Sequence, residues 1–129
     1  MLTKKANSLV ISTTDYQQLI KLIERYDTPA AEALDIELGR PDIVQTQETP
    51  TDAVSMGSTV TFIDLDSNEE NTISLVYPDE ANVAQMKISI LSPVGSALIG
   101  LRIGGTIDWP VPQGKIRRLK VIAVQQPAH

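Results

Sequence analysis

Carboxylates are the first candidates for chemistry in this sequence. Asp27, Glu32, Asp35 and Glu37 fall within eleven residues that contain no base, and Glu24 stands just before them. Clustered oxygens could hold a hard divalent cation. The same residues equally suit the first turn and the exposed face of a helix, where they complement its dipole. A second group, Asp64, Asp66, Glu69 and Glu70, lacks the glycine and ligand order of an EF-hand loop and reads as a solvated turn. Other reagents are scarce. The absence of cysteine removes thiol catalysis, thiolate metal sites and disulfides. The one histidine is His129, the last of 129 residues, so no His-based triad or multi-histidine metal site can be built. No G-x-x-x-x-G-K-S/T, G-x-G-x-x-G or G-x-S-x-G occurs, and Gly104-Gly105 reads as a turn into a strand. Phe62, Trp109 and three tyrosines are too few and too scattered to stack a single strand of nucleic acid. No catalytic residue, metal or cofactor is therefore expected. The residues alone describe a binding protein.

Composition agrees. With 42% apolar and 21% charged residues, the chain suits one domain with a small appendage. No run of about 18 apolar residues exists, so no membrane span is expected. The start, M-L-T-K-K-A-N-S, has no apolar region after its lysines and does not read as a signal peptide. The lack of cysteine fits a reducing, cytoplasmic setting. Net charge is −5, unevenly spread: residues 41–90 carry nine acids against Lys87, and residues 91–129 carry five bases against Asp108. That balance argues against broad or sequence-specific nucleic-acid binding. Lys115, Arg117, Arg118 and Lys120 read as a solvated strand face.

The elements that must position these residues fall into two textures. Tyr16, Leu19, Ile20, Ile23 and Tyr26 recur at helical spacing, and Ser12 with Asp15 can form a capping box; Thr14 with Gln17 is an alternative start. Thr28-Pro29 is a cap followed by a first helical residue, Ala30, Ala33, Leu34 and Leu38 repeat, and Gly39 supplies a stop. Residues 10–39 thus predict a short antiparallel helical hairpin. The polar stretch 40–53, with two prolines and no period, predicts a linker. From 54 to 126 the sequence turns to strands: T-V-T-F-I-D and N-T-I-S-L-V-Y form a hairpin, then come K-I-S-I-L, G-G-T-I-D-W-P-V-P and K-I-R-R-L-K-V-I-A-V-Q. The last two are joined by a P-Q-G turn. One short helix interrupts them, capped by Ser92, opened by Pro93 and closed by Gly100. The fold class is α+β.

K-I-S-I-L-S-P-V-G-S-A-L-I-G-L-R-I-G, residues 87–104, resembles the C-terminal signature of bacterial Gre transcript-cleavage factors. V-S-M-G-S-T-V-T-F and L-V-Y-P-D-E-A resemble the neighbouring strands of the same domain. The M-G-S-x-V and L-V-Y-P forms, with W-P-V-P-Q-G, are similar to the Rnk type, regulators of nucleoside diphosphate kinase with a shortened coiled-coil hairpin. The resemblance implies an FKBP-like antiparallel sheet with one helix, docking at the rim of the RNA polymerase secondary channel and competing with Gre-type factors. In Gre factors a long hairpin carries two tip acids to the catalytic metal. Here helices of about 12 residues would span roughly 18 Å, and Asp27 is the one acid in the tip Tyr26-Asp27-Thr28-Pro29. The resemblance therefore implies a non-catalytic polymerase binder, with a monomer favoured. Cleavage stimulation is the alternative, and FKBP-type prolyl isomerase activity a more distant one, since its aromatic-lined pocket is not supplied. The implied partner-binding residues are Ser92, Pro93, Val94, Ala97 and Leu98, with Asp27 at the hairpin tip. Ser92 and Pro93 are equally explained as helix cap and first residue, and Ala97 and Leu98 as a face packed on the sheet.

Overall fold

The computed structural model describes residues 3–5, 9–39, 41–110 and 116–127. The expected P-Q-G turn at 112–114, Lys115 and His129 lie outside them. The first helix, α1 (Thr13–Arg25), begins where Ser12 Oγ accepts the Asp15 N–H at 3.1 Å. The reciprocal half of the capping box does not form. Asp15 Oδ2 instead accepts the N–H of Met56 at 3.0 Å, because that buried amide also needs an acceptor. The first turn of α1 is thereby fastened to the strand domain. The second helix, α2 (Pro29–Leu38), starts as expected: Thr28 Oγ1 accepts the Ala31 N–H at 3.2 Å and Pro29 is first. Its buried stripe is Ala31, Leu34 and Leu38 together with Glu37, while Ala30 and Ala33 face solvent. Alanine is small enough for either face, so leucine spacing decided the rotation. On α1 the fully buried positions are Leu19 and Leu22, flanked by half-buried Tyr16, Ile20, Ile23 and Tyr26.

Three short strands lie near the N-terminal side. Of these, β1 (Thr3–Lys5) joins the edge of the main sheet, and β2 (Val10–Ser12) pairs in parallel with β3 (Asp42–Val44). The segment expected to be a linker thus carries a strand, followed by a 3-10 turn at Thr46–Glu48. Ile43 and Val44 find ladder partners there that no local period announces.

The main sheet adds β4 (Thr59–Asp64), β5 (Glu70–Val76), β6 (Lys87–Ser89), β7 (Thr106–Pro110) and β8 (Ile116–Gln125). Its order among the described residues is β1-β7-β8-β4-β5-β6. Pairings are antiparallel except β5 with β6, where two 3-10 turns at Pro78–Glu80 and Val83–Gln85 carry the chain back to run parallel. The antiparallel sheet is thus as expected, with this edge as its one parallel pairing among the described residues. Along β4, Val60, Phe62 and Asp64 point inward while Thr59, Thr61 and Ile63 are half-exposed, the alternation of a sheet covered on one face. The covering layer is made of α1, α2 and α3 (Pro93–Leu98). Leu19, Leu22, Leu34 and Leu38 of the hairpin share one continuous core with Val60, Leu75, Leu98, Leu101 and Ile107. The hairpin is packed on the domain along its inner face.

Candidate functional site

The short helix α3 is held by its own cap. Ser92 Oγ accepts the Gly95 N–H at 3.0 Å and donates to the Ser89 carbonyl at 2.7 Å, which ties the helix start to the end of β6. Both bonds are internal, so the Ser92 hydroxyl positions the helix and has one acceptor site left for anything else. Gly95 is forced by contact: a Cβ there would lie 2.3 Å from the Ser89 carbonyl oxygen and 3.1 Å from Leu75 Cδ1. The S-P-x-G pattern therefore presses α3 flat against β5 and β6.

That geometry divides the five expected docking residues. Ala97 and Leu98 are buried in the core and are unavailable to a partner, since their face of α3 packs on the sheet. Pro93 is exposed and Val94 half-buried, both on the outer side. Beside them opens a groove of about 320 Å³. Phe62 and Ile73 make its floor, Pro93 and Val94 one wall, Ile88 and Met86 the other, and Asn71 and Ser92 are its polar members. Among the described residues no ionisable side chain lines it. Sequence reasoning named only the α3 side. Phe62, Ile73, Met86 and Ile88 were missed because β4, β5, β6 and the turn before β6 contribute one or two residues each, and the register Phe62↔Asn71 and Leu75↔Ile88 is what gathers them.

The hairpin tip is different in kind. Asp27 is exposed, between half-buried Tyr26 and exposed Thr28. Glu32 and Asp35 are also exposed, whereas Glu37 is buried, so these acids do not converge. Among the described residues no group of three or more His, Asp or Glu side chains is placed to hold a metal. The second acidic group is the β4–β5 turn: Asp64 Oδ1 accepts the Asp66 and Ser67 N–H groups, and Arg117 approaches its other oxygen at 3.6 Å. Asp66, Glu69 and Glu70 remain exposed.

Between α1 and the turn after β5 lies a wider cleft of about 530 Å³, with Lys21 and Arg25 facing Asp79 and Glu80. At the base of this region Tyr77 is pushed up to about 12, first by burial and then by the charges of Asp15 and Glu80. Burial also raises Asp15, although the Met56 N–H works against that shift. Both groups sit at the seam between hairpin and sheet, and neither faces the groove beside α3.

The chain is similar to known proteins along most of its length. Residues 49–126 match the family of the transcription elongation factor GreA/GreB C-terminal domain, and residues 7–44 match the Rnk N-terminus. A regulator of nucleoside diphosphate kinase from Escherichia coli is 34% identical over 92% of this chain and 89% of its own length. The transcription elongation factor GreA of Hyphomonas neptunium is 40% identical over 70% of this chain, covering 57% of that protein. Among solved structures, a prokaryotic transcription elongation factor GreA/GreB from Nitrosomonas europaea superposes with a TM-score of 0.77 at 40% identity, covering 93% of this chain and 99% of that one. Among the described residues no helix is long and apolar enough to cross a membrane.

Proposed function

The chain belongs to the GreA/GreB family of transcription elongation factors and carries an Rnk-type N-terminus, and from that premise we propose that it binds RNA polymerase at the rim of the secondary channel and catalyses no reaction itself. The observation that carries this reading is the pairing of an apolar groove beside α3 with a hairpin too short to act at a distance. At 1.5 Å per residue the 13 residues of α1 reach roughly 20 Å. The inner face of the hairpin is spent on the core, and its tip offers Asp27 without an acidic neighbour. Such a hairpin supplies no pair of carboxylates for a second metal ion, so transcript cleavage is not stimulated. What remains is occupancy: the protein excludes longer Gre-type factors from the same rim. Influence on nucleoside diphosphate kinase levels is then an indirect result of altered transcription, and the protein acts in the cytoplasm where the polymerase is.

Two assays on one preparation test this. In the first, core polymerase is titrated with the protein in the presence of a labelled Gre factor, and displacement is expected. In the second, backtracked elongation complexes receive the protein alone, and no cleaved transcript is expected. Failure to displace the Gre factor at micromolar concentration contradicts rim docking; released 3′ fragments contradict the non-catalytic reading.

A further inference from the structure

We propose that the cleft between α1 and the turn after β5 binds a small zwitterion of the amino-acid or short-peptide class, its carboxylate against Lys21 and Arg25 and its ammonium against Asp79 and Glu80. The two bases stand four residues apart on α1, about 6 Å along its axis, and so share one face. The two acids are neighbours on the 3-10 turn Pro78–Glu80, across the gap. All four are exposed, and none makes an ion pair among the described residues. Arg25 has a local role as well, since it complements the dipole in the last turn of α1. That role does not require both charge pairs to border one cavity of about 530 Å³, a volume in the range of small-molecule sites.

Packing on both sides keeps the gap open. Leu19 and Leu22 anchor α1 in the core. The turn is held by the fixed backbone of Pro78 and by the Glu80 N–H, which donates to the Tyr77 carbonyl at 2.9 Å. Leu22, Tyr26 and Pro78 give the cleft an apolar lining between its charged walls. Tyr77 stays a neutral phenol near neutral pH, because burial and the charges of Asp15 and Glu80 push it up to about 12. The ionised side chains that line the cleft therefore sum to zero, two bases against two acids. A polyphosphate would set like charges against Asp79 and Glu80, and a polyamine would do so against Lys21 and Arg25. A ligand with one charge of each sign satisfies both walls at once, and an apolar side chain between those charges covers the lining. Arg25 offers the planar fork that a carboxylate matches, while the acids accept the N–H groups of an ammonium. The argument for this ligand is independent of the polymerase.

The test is a titration of the full chain followed by amide NMR spectra. The probes are L-phenylalanine and L-alanyl-L-phenylalanine, with the N-acetylated and C-amidated dipeptides as single-charge controls. Saturable shifts are expected at residues 18–26 and 77–81 and not beside α3. Removing either terminal charge should weaken the dipeptide about fivefold, the size of one good exposed ion pair. Lys21→Gln combined with Arg25→Gln should weaken the dipeptide by a similar factor and leave its C-amidated form unchanged. Asp79→Asn combined with Glu80→Gln should weaken the dipeptide and leave its N-acetylated form unchanged. All four positions are exposed, so both double variants should keep the wild-type thermal midpoint. Absence of saturable shifts with both unmodified probes at millimolar concentration overturns the proposal. Equal binding of the blocked dipeptides, or tighter binding of adenosine monophosphate than of either probe, overturns the zwitterion as ligand. Wild-type affinity for the dipeptide in both double variants overturns the assignment of the two walls.

Discussion

The hairpin tip and the groove beside α3 are the two ends at which this molecule could meet a partner, and they are built oppositely. The tip is a short connection with an exposed carboxylate at Asp27 and no second acid beside it. The groove is lined by residues of α3, β4, β5, β6 and the turn before β6, its floor is buried, and α3 is held by its cap and by the close approach of Gly95 to Ser89. A lone charge on a turn attracts but does not select, whereas a fixed apolar recess selects by shape. On the proposed reading recognition belongs to the sheet domain, while the leucines of the hairpin complete the core.

Several substitutions break or sharpen that contrast. The largest effect is expected from Gly95→Ala, which drives a methyl group into the Ser89 carbonyl and must displace α3. A loss of about 3 kcal/mol in urea unfolding is expected, at the upper end of overpacking costs, with groove binding lost at the same time. On the hairpin side, Asp15→Ala leaves the Met56 N–H without its acceptor and should cost about 2 kcal/mol. Asp15→Asn keeps an acceptor and tests the sign of the charge. Because burial raises the folded carboxyl above its ordinary value, folding favours the protonated form. The stabilisation from this group is present at low pH and lost as pH rises through its titration. Subtracting the Asp15→Asn stability profile from that of wild type should show that fall, and a rise would contradict the burial.

A smaller effect is expected from Tyr77, whose folded value of about 12 stands above the ordinary 10. Its contribution is present below pH 10 and lost as pH rises from 10 toward 12. Tyr77→Phe should accordingly unfold less readily in that window when followed by far-ultraviolet circular dichroism, and an identical alkaline transition would show that the phenol is not buried at the seam. The smallest effect belongs to Asp27→Ala, which should change stability by less than about 0.5 kcal/mol, as for an exposed residue without partners.

How much of this was legible in the sequence follows from the range over which each signal acts. The starts of all three helices were readable, since Ser12, Thr28 and Ser92 each bond an amide three residues on. The β4–β5 hairpin was readable from alternation across a polar turn. Features that depend on distant pairing were not. Asp15 has a good local partner by pattern, yet it bonds Met56, because nothing in the pattern reports which buried amide will lack an acceptor. β3 is three residues long and pairs with a strand more than a helical hairpin away. Within the candidate site, α3 is legible as S-P-x-G, and of the two readings open for Ala97 and Leu98 their burial favours the face packed on the core. The rest of the groove is distributed over three strands and one turn and appears only once their register is known.

The account rests most heavily on the groove binding polymerase while the tip does not, and one direct comparison tests it: affinity of wild type, Val94→Asp and Asp27→Ala for core RNA polymerase, measured side by side by fluorescence anisotropy. Val94 stands in the first turn of α3, where a carboxylate is compatible with the helix dipole, so the variant should fold. The expected result is that Val94→Asp binds at least about tenfold more weakly, the loss typical of a central interface residue, and that Asp27→Ala matches wild type. Unchanged binding by Val94→Asp together with a loss in Asp27→Ala would place recognition at the tip and contradict the account.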